Sequence, residues 1–239
     1  MQNKSLKINF SAAPFWEARL ETFGKENSVI LIIDNFIEQP EQVFEYASLQ
    51  KFSALAPYYP GVRAAAPIQY MKPVMPALNK ALVDLFSLSK GVSVQECFFS
   101  LTTTKPEDLV LLQRHPHIDG GDDGKIAILH YLCDETHGGT AFYRHRSTGF
   151  ETVPNDRFAD YKRALGIDVE KHGMPPAAYF YESDEKFEKI FEVSARFNRT
   201  VIYKGVNLHS VNVGPNPNFS HDPSKGRLTT NLFINPIKD

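Results

Sequence analysis

The chain has 239 residues, enough for one domain with a sizeable core. Hydrophobic residues make up 42% and charged residues 23%, the balance of a soluble globular protein, and the net charge of −2 gives no basic footprint for nucleic acid. No apolar run reaches transmembrane length, Met1–Phe10 lacks the apolar stretch of a signal peptide, and two cysteines (Cys97 and Cys133) cannot build a disulfide framework, so a cytoplasmic protein without a membrane partner is expected.

Val29–Ile33 is a short apolar run that suits a buried strand. Pro40 opens a helix with Val43, Phe44 and Ala47 on one face. A loop rich in proline follows, and a second amphipathic helix is expected over Val74–Leu88 with Leu78, Leu82, Leu85 and Phe86 inward. From residue 92 the pattern becomes short strands: Val92–Leu101, Leu109–Arg114, Ile126–Leu132 and Gly138–Tyr143. The last two, joined by the polar Cys133–His137, read as an antiparallel pair. Asn155–Leu165 suits a short helix. The alternation of Phe191, Val193, Ala195 and Phe197 suits a strand, as does Arg199–Lys204, and Arg227–Ile234 closes the chain. Helices followed by many strands argue for an α+β arrangement in a single domain spanning 1–239. Residues 1–90 would support a core formed by 91–239. In the last strand Arg227, Thr229, Asn231 and Phe233 share one face, mixed polar enough to line a pocket, while Leu228, Leu232 and Ile234 share the other.

The chemistry concentrates in two segments. Gln113-Arg-His-Pro-His117-Ile-Asp119 puts an imidazole and a carboxylate two residues apart, and residues i and i+2 of an extended segment point to one side. A third ligand must come from elsewhere, and His209 in Asn207-Leu-His-Ser-Val211 is the candidate. Two histidines and one carboxylate on one face of an octahedral ion form the facial triad of non-haem Fe(II) oxygenases, with open positions for a cosubstrate and O2. Taken alone, His-x-Asp is more often a surface histidine beside a turn acid. His115 reads as a loop residue and His130, opposite in parity to Tyr131, as a core histidine. His137, His145, His172 and His221 lack partner spacing and are expected in solvent. Arg144 reaches the pocket mouth by strand parity, or is an ordinary charged strand end. Arg63 lies in a loop that either covers the site or is plain surface.

With these surroundings the sequence resembles the prolyl 4-hydroxylase-like members of the Fe(II)/2-oxoglutarate-dependent dioxygenases, and bacterial proteins of unestablished substrate grouped with them. The resemblance rests on His117-Ile-Asp119, the glycine-rich turn at 120–124, Leu129-His-Tyr131-Leu-Cys133-Asp, Gly138-Gly139-Thr140, His209-Ser-Val211 and Gly226-Arg227. It implies a double-stranded β-helix, a cupin-like jelly roll, with the N-terminal helices on the outer face of its larger sheet. It implies Fe(II) held by His117, Asp119 and His209, 2-oxoglutarate held by Arg227 and Tyr131, and O2 as co-reactant in the hydroxylation of a small molecule, amino acid or peptide. Asn231, Phe233, Arg144 and Arg63 are the candidate substrate contacts. Cys133 replaces the family's asparagine, and the interval from His209 to Arg227 is longer than usual; a loop through Gly214-Pro-Asn-Pro217 would absorb the excess in a lengthened hairpin that keeps Arg227 beside His209. Two other readings stay open: a cupin-like metalloenzyme that uses Mn(II), Ni(II) or Zn(II) without 2-oxoglutarate, and a non-catalytic jelly-roll binding protein. Substrate and oligomeric state are not legible, and a homodimer is compatible with the sequence.

Overall fold

A computed structural model describes residues 16–55, 58–67, 69, 72–86, 92–213 and 217–237. Strands β1 (Glu17–Phe23), β2 (Ser28–Asp34), β3 (Gly61–Ala65), β4 (Val92–Thr102), β5 (Ile126–Tyr131), β8 (Arg199–Lys204) and β10 (Arg227–Pro236) form one antiparallel sheet in the order β1-β2-β8-β5-β10-β4-β3. Strands β6 (Gly139–His145), β7 (Phe187–Ser194) and β9 (His209–Asn212) form a second sheet in the order β7-β6-β9. From β5 onward the chain crosses repeatedly between the sheets, with β6 and β7 both in the small one, which gives the double-stranded β-helix. Among the described residues no helix is long and apolar enough to cross a membrane.

The central strands of the large sheet are buried on both sides, and their composition shows why. Leu31 and Ile33 of β2, Ile126 and Ile128 of β5, and Leu228, Leu232 and Ile234 of β10 face one layer. Helices α1 (Pro40–Ser48) and α2 (Met75–Phe86) supply Val43, Ala47, Leu78, Leu82 and Phe86 to that layer. Ile30, Ile32, Ala127, Leu129, Tyr131 and Phe233 point the other way, into the space between the sheets, where Phe142 and Val193 of the small sheet meet them. A third helix, α3 (Asn155–His172), covers the back of the small sheet through Tyr161.

Several elements differ from their sequence expectation. Cys133–His137 does not close a hairpin between β5 and β6; it contains a 3-10 turn and carries the chain from the large sheet to the small one. Gly138, at φ +89°, lies so close to the Asn212 carbonyl that a Cβ would overlap it, and makes that crossing possible. The strands of His209 and Arg227 likewise lie in opposite sheets rather than in one lengthened hairpin, because eighteen residues give enough chain to cross over; Gly214–Asn216 of that connection fall outside the described residues. Leu109–Arg114 is not a strand. Arg114 donates from Nε and Nη2 to the Leu109 carbonyl and folds the segment into a 3-10 turn, leaving Val110, Leu111 and Leu112 exposed. The helix begun at Asn155 runs to His172, beyond its interior Gly166, and stops at Gly173. The alternating Phe191–Phe197 run stops being a strand at Ser194. β1 and β3 were not foreseen, β3 lying inside the segment read as a proline-rich loop. The end of the Val74–Leu88 helix falls outside the described residues.

Asn198 ties the layers together. It sits at φ +64°, a left-handed conformation that asparagine tolerates. Its side chain accepts the Ile37 N–H at 3.0 Å, donates to the Ile37 carbonyl at 2.9 Å and accepts from His130 Nε2 at 3.2 Å. His130 is therefore a satisfied core histidine, packed edge-on to Phe36. Asp34, at the end of β2, is gripped by Arg199 at 2.6 and 2.9 Å, with Arg19 and Arg196 farther off. Burial alone would raise its pKa, but these arginines outweigh it and the net shift is downward.

Asn198→Ala is expected to cost about 3 kcal/mol or more in urea unfolding, since it leaves three buried polar groups without partners. The Asp34 carboxylate has a folded pKa below its ordinary value of 3.8. Its contribution is complete above that pH and is lost as the pH falls through the folded value. The stability gap between wild type and Asp34→Asn should thus be flat near neutrality and close below about pH 4.

Candidate metal centre

The two segments singled out by their histidines meet. His117 donates its N–H to the His209 carbonyl at 2.8 Å and accepts the His209 N–H at 2.9 Å, an isolated antiparallel bridge beside the small sheet. Asp119 continues the contact by donating to the Gly205 carbonyl at 2.8 Å. On its other side His209 pairs with Phe142 of β6. The result is one ligand atom from each of His117, Asp119 and His209, all within 4.8 Å of one another.

The protonation pattern suits a cation. His209 donates from Nδ1–H to the Asn207 carbonyl at 2.8 Å, which leaves Nε2 as the lone-pair nitrogen. That Nε2 lies 3.4 Å from Asp119 Oδ2. Two donors at right angles on one ion, each about 2.1 Å from it, would lie about 3 Å apart. Asp119 Oδ2 is buried and has no hydrogen-bond partner among the described residues. Burial pulls the pKa of His209 down to about 4. Desolvation and the neighbouring His209 pull that of His117 down to about 3, although His117 is the exposed member of the three. Burial raises the Asp119 carboxyl against the pull of His117, Lys125 and Arg63. Neutral imidazoles with free lone pairs and a desolvated carboxylate are what a divalent ion requires. Two nitrogens and one carboxylate oxygen match the donor types of the non-haem Fe(II) triad.

The inner face of the large sheet looks onto this cluster. Strand register sets the rows: Arg227 of β10 opposite Thr102 of β4 and Gly61 of β3; Thr229 opposite Ser100 and Arg63; Asn231 opposite Phe98. Arg227 is 5% exposed and reaches across the sandwich to donate from Nη2 to the Gly139 carbonyl at 2.9 Å. Its Nε is buried without a partner, and no acidic side chain among the described residues pairs with it. Tyr131 lies under the guanidinium, 5.5 Å from ring centre to Cζ, and its hydroxyl bonds Thr140 Oγ1 at 2.7 Å. Asn231 accepts from Thr229 Oγ1 at 2.8 Å, and Phe233 carries Lys125 Nζ over its ring at 4.7 Å.

Other candidates fall elsewhere. Arg144 is not free for a substrate, because Glu151 and Glu188 each hold it at 2.7 Å; the register shift beside Phe142 places its extra residue, Ile190, in β7, so β6 keeps its alternation and Arg144 keeps the parity of Phe142. His145 is fully buried rather than solvated, beside Asp168 at 3.0 Å and under α3. His137 is partly buried and bonds Asp134 and the Lys225 carbonyl. His172 and His221 are exposed as expected. His115 turns away from the cluster and stacks on Phe187. Arg63 belongs to β3, not to a loop. The sequence assigns no site role to Ser100, Thr140 or Asn207. The alternation of β4 could have found Ser100, whereas the Asn207 carbonyl left no side-chain signal.

A family model matches residues 14–234, described as a family of unknown function, DUF6445. The chain belongs to that family. No curated protein sequence matches it. Among solved structures it is similar to HygX from Streptomyces hygroscopicus with nickel, 2-oxoglutarate and hygromycin B bound, at 12% identity over 88% of this chain and 84% of that one, with a TM-score of 0.53. It is also similar to an N-substituted L-amino acid dioxygenase from Burkholderia ambifaria AMMD in complex with alpha-KG, at 8% identity over 94% and 96%, with a TM-score of 0.48. At such identity the likeness to HygX speaks for the shared double-stranded β-helix.

The wild-type protein is expected to bind one equivalent of Co(II) in isothermal titration calorimetry. Asp119→Ala or His209→Ala should weaken that binding by about 100-fold or more, since even outer hydrogen-bond partners of metal ligands are worth 10–100-fold. Unchanged affinity would remove the residue from the ligand set.

Proposed function

We propose that the chain is a non-haem Fe(II)- and 2-oxoglutarate-dependent oxygenase that hydroxylates a small molecule, amino acid or peptide. The observation that carries this is the pairing of the His117–Asp119–His209 cluster with Arg227 across the sandwich. A buried guanidinium without a carboxylate is costly, and a dianionic cosubstrate is the partner that would offset it. The nickel- and 2-oxoglutarate-bound HygX structure, on the same fold, supports the reading.

The residues divide the work. His117, Asp119 and His209 hold the metal, with Asp119 offsetting part of its charge. Arg227 grips the far carboxylate of 2-oxoglutarate, its planar fork suited to two parallel hydrogen bonds. Its bond to Gly139 and its position over Tyr131 hold that fork in one orientation. Tyr131 and Thr140 offer the adjoining hydroxyls. Phe142 and Tyr203 pack around the His209 ring and keep water from its inner side. When bound, Fe(II) and 2-oxoglutarate supply oxidative decarboxylation to succinate and CO2, coupled to insertion of one oxygen atom of O2 into a substrate C–H bond.

Anaerobic addition of Fe(II) and then 2-oxoglutarate should produce a visible metal-to-ligand charge-transfer band that requires both. Arg227→Met should weaken 2-oxoglutarate binding by about 10–100-fold, the worth of a charge-assisted pair, and leave iron binding intact. Iron binding without the band would instead favour a metalloenzyme in which Arg227 holds an anionic substrate. Absence of metal binding would favour a jelly-roll binding protein.

A further inference from the structure

A second guanidinium faces the same space. Arg63 points from β3 to the inner face, since its neighbour Ala64 packs into the opposite layer with the helices. Its Cζ stands 4.4 Å from the Tyr59 ring centre and 5.3 Å from that of Phe98. These contacts occupy its faces and leave its N–H edge. Arg63 Nε is buried without a hydrogen-bond partner, and no side-chain hydrogen bond or ion pair of Arg63 occurs among the described residues. Directly opposite on β4 is Ser100, fully buried, whose Oγ also has no partner. Two unsatisfied polar groups thus lie side by side on one face, and native proteins seldom leave such groups unexplained. Arg63 is near enough to His117 and Asp119 for its charge to act on both.

The 2-oxoglutarate assigned to Arg227 does not account for it. Arg227 and Arg63 are two strands apart and displaced by two residues, which separates their Cα atoms by about 12 Å. Arg227 turns to Gly139, while Arg63 is held over Tyr59 and Phe98. Nor does an acid among the described residues pair with it. Asp119 forms no ion pair with it, and the exposed Glu96 on the same face stands four residues from Ser100 along β4, about 13 Å away.

We propose that Arg63 and Ser100 form the anchor for a carboxylate of the primary substrate, so that the substrate is a carboxylic acid whose carboxylate binds at the N–H edge of the guanidinium resting on Tyr59 and Phe98. This rests on the oxygenase reading and names its substrate class. The stacked guanidinium presents a planar edge, Nε with one Nη, that matches a carboxylate. Ser100 Oγ–H adds one donor beside it. The rings favour an apolar group next to that carboxylate.

Benzoate is the probe, with benzamide as its uncharged counterpart. Both are titrated anaerobically by calorimetry into protein already loaded with Fe(II) and 2-oxoglutarate. Benzoate should bind the wild type at least tenfold more tightly than benzamide. Arg63→Met should remove that preference without changing 2-oxoglutarate affinity read from the charge-transfer band. Arg63→Gln, which keeps a polar stem over the rings, should do the same and serves if Arg63→Met does not fold. Ser100→Ala should weaken benzoate by a smaller factor. Equal binding of benzoate and benzamide to the wild type, or an undiminished preference in the folded Arg63 variants, would overturn the proposal. So would a tenfold loss of 2-oxoglutarate affinity in those variants, which would assign Arg63 to the cosubstrate. A wild type that shows no charge-transfer band overturns the oxygenase reading itself, a result separate from these.

Discussion

Two backbone hydrogen bonds between His117 and His209 bring together parts of the chain ninety-two residues apart. Everything proposed for the site depends on them. They seat the His-x-Asp segment against β9, and β9 is itself fixed by β6. The ligand side chains are therefore placed by main-chain geometry rather than by one another. This suits a metal centre, where a small error in one donor would reduce affinity sharply. It also explains why the ligand set can stand ready before any ion arrives: His209 takes its tautomer from a carbonyl, not from the metal.

The electrostatics of the space between the sheets follow from that placement. One carboxylate and two neutral imidazoles lie on one side; two guanidiniums lie on the other, one buried and one partly so. No protein acid balances Arg227 or Arg63 among the described residues. A low-dielectric cleft with this excess of positive charge is unfavourable when empty of anions. The apolar contacts that hold the frame, Ile30, Ile32, Leu129 and Phe142 among them, lie in the same layer and must offset the strain of keeping such groups out of water. The helical layer on the far side carries no comparable charge, and its packing is free to serve stability alone.

Much of this was legible in the sequence, for definite reasons. Strands buried on both faces are nearly continuous apolar runs, so β2 and β5 stood out. Helix α1 announced itself through Pro40 and α2 through leucines four apart. The parity of β10 sorted Arg227, Thr229, Asn231 and Phe233 from Leu228, Leu232 and Ile234 correctly. Pairing between strands was another matter. Periodicity reports which way a side chain points, not which sheet a strand joins, and so β5 with β6, and His209 with Arg227, were misread as neighbours. β1, largely exposed, has no apolar alternation to reveal it. β3 hid among prolines, and Arg63 was therefore weighed as a loop residue. Arg144 has the expected parity, but Glu151 and Glu188, which no spacing in the sequence links to it, occupy its guanidinium. The exposed Val110–Leu112 mimicked a buried strand because composition does not record where a segment lies.

The position of β3 at the border of the large sheet has a consequence for how such a protein could diverge. As a border strand β3 has one strand neighbour, β4, and on its other side only the backbone bridge of Arg63 to Ser53, so exchanging its inward side chains disturbs few partners. Arg227 and Tyr131, by contrast, sit on interior strands with neighbours on both sides, and two of the proposed metal ligands, His117 and His209, are tied together by a backbone bridge. In the proposed reading, reactivity and choice of reactant are thus carried by parts of the frame with very different tolerance to replacement. A lineage built on this frame could exchange one clientele for another by editing its margin, while the inherited chemistry at its centre stayed as it was.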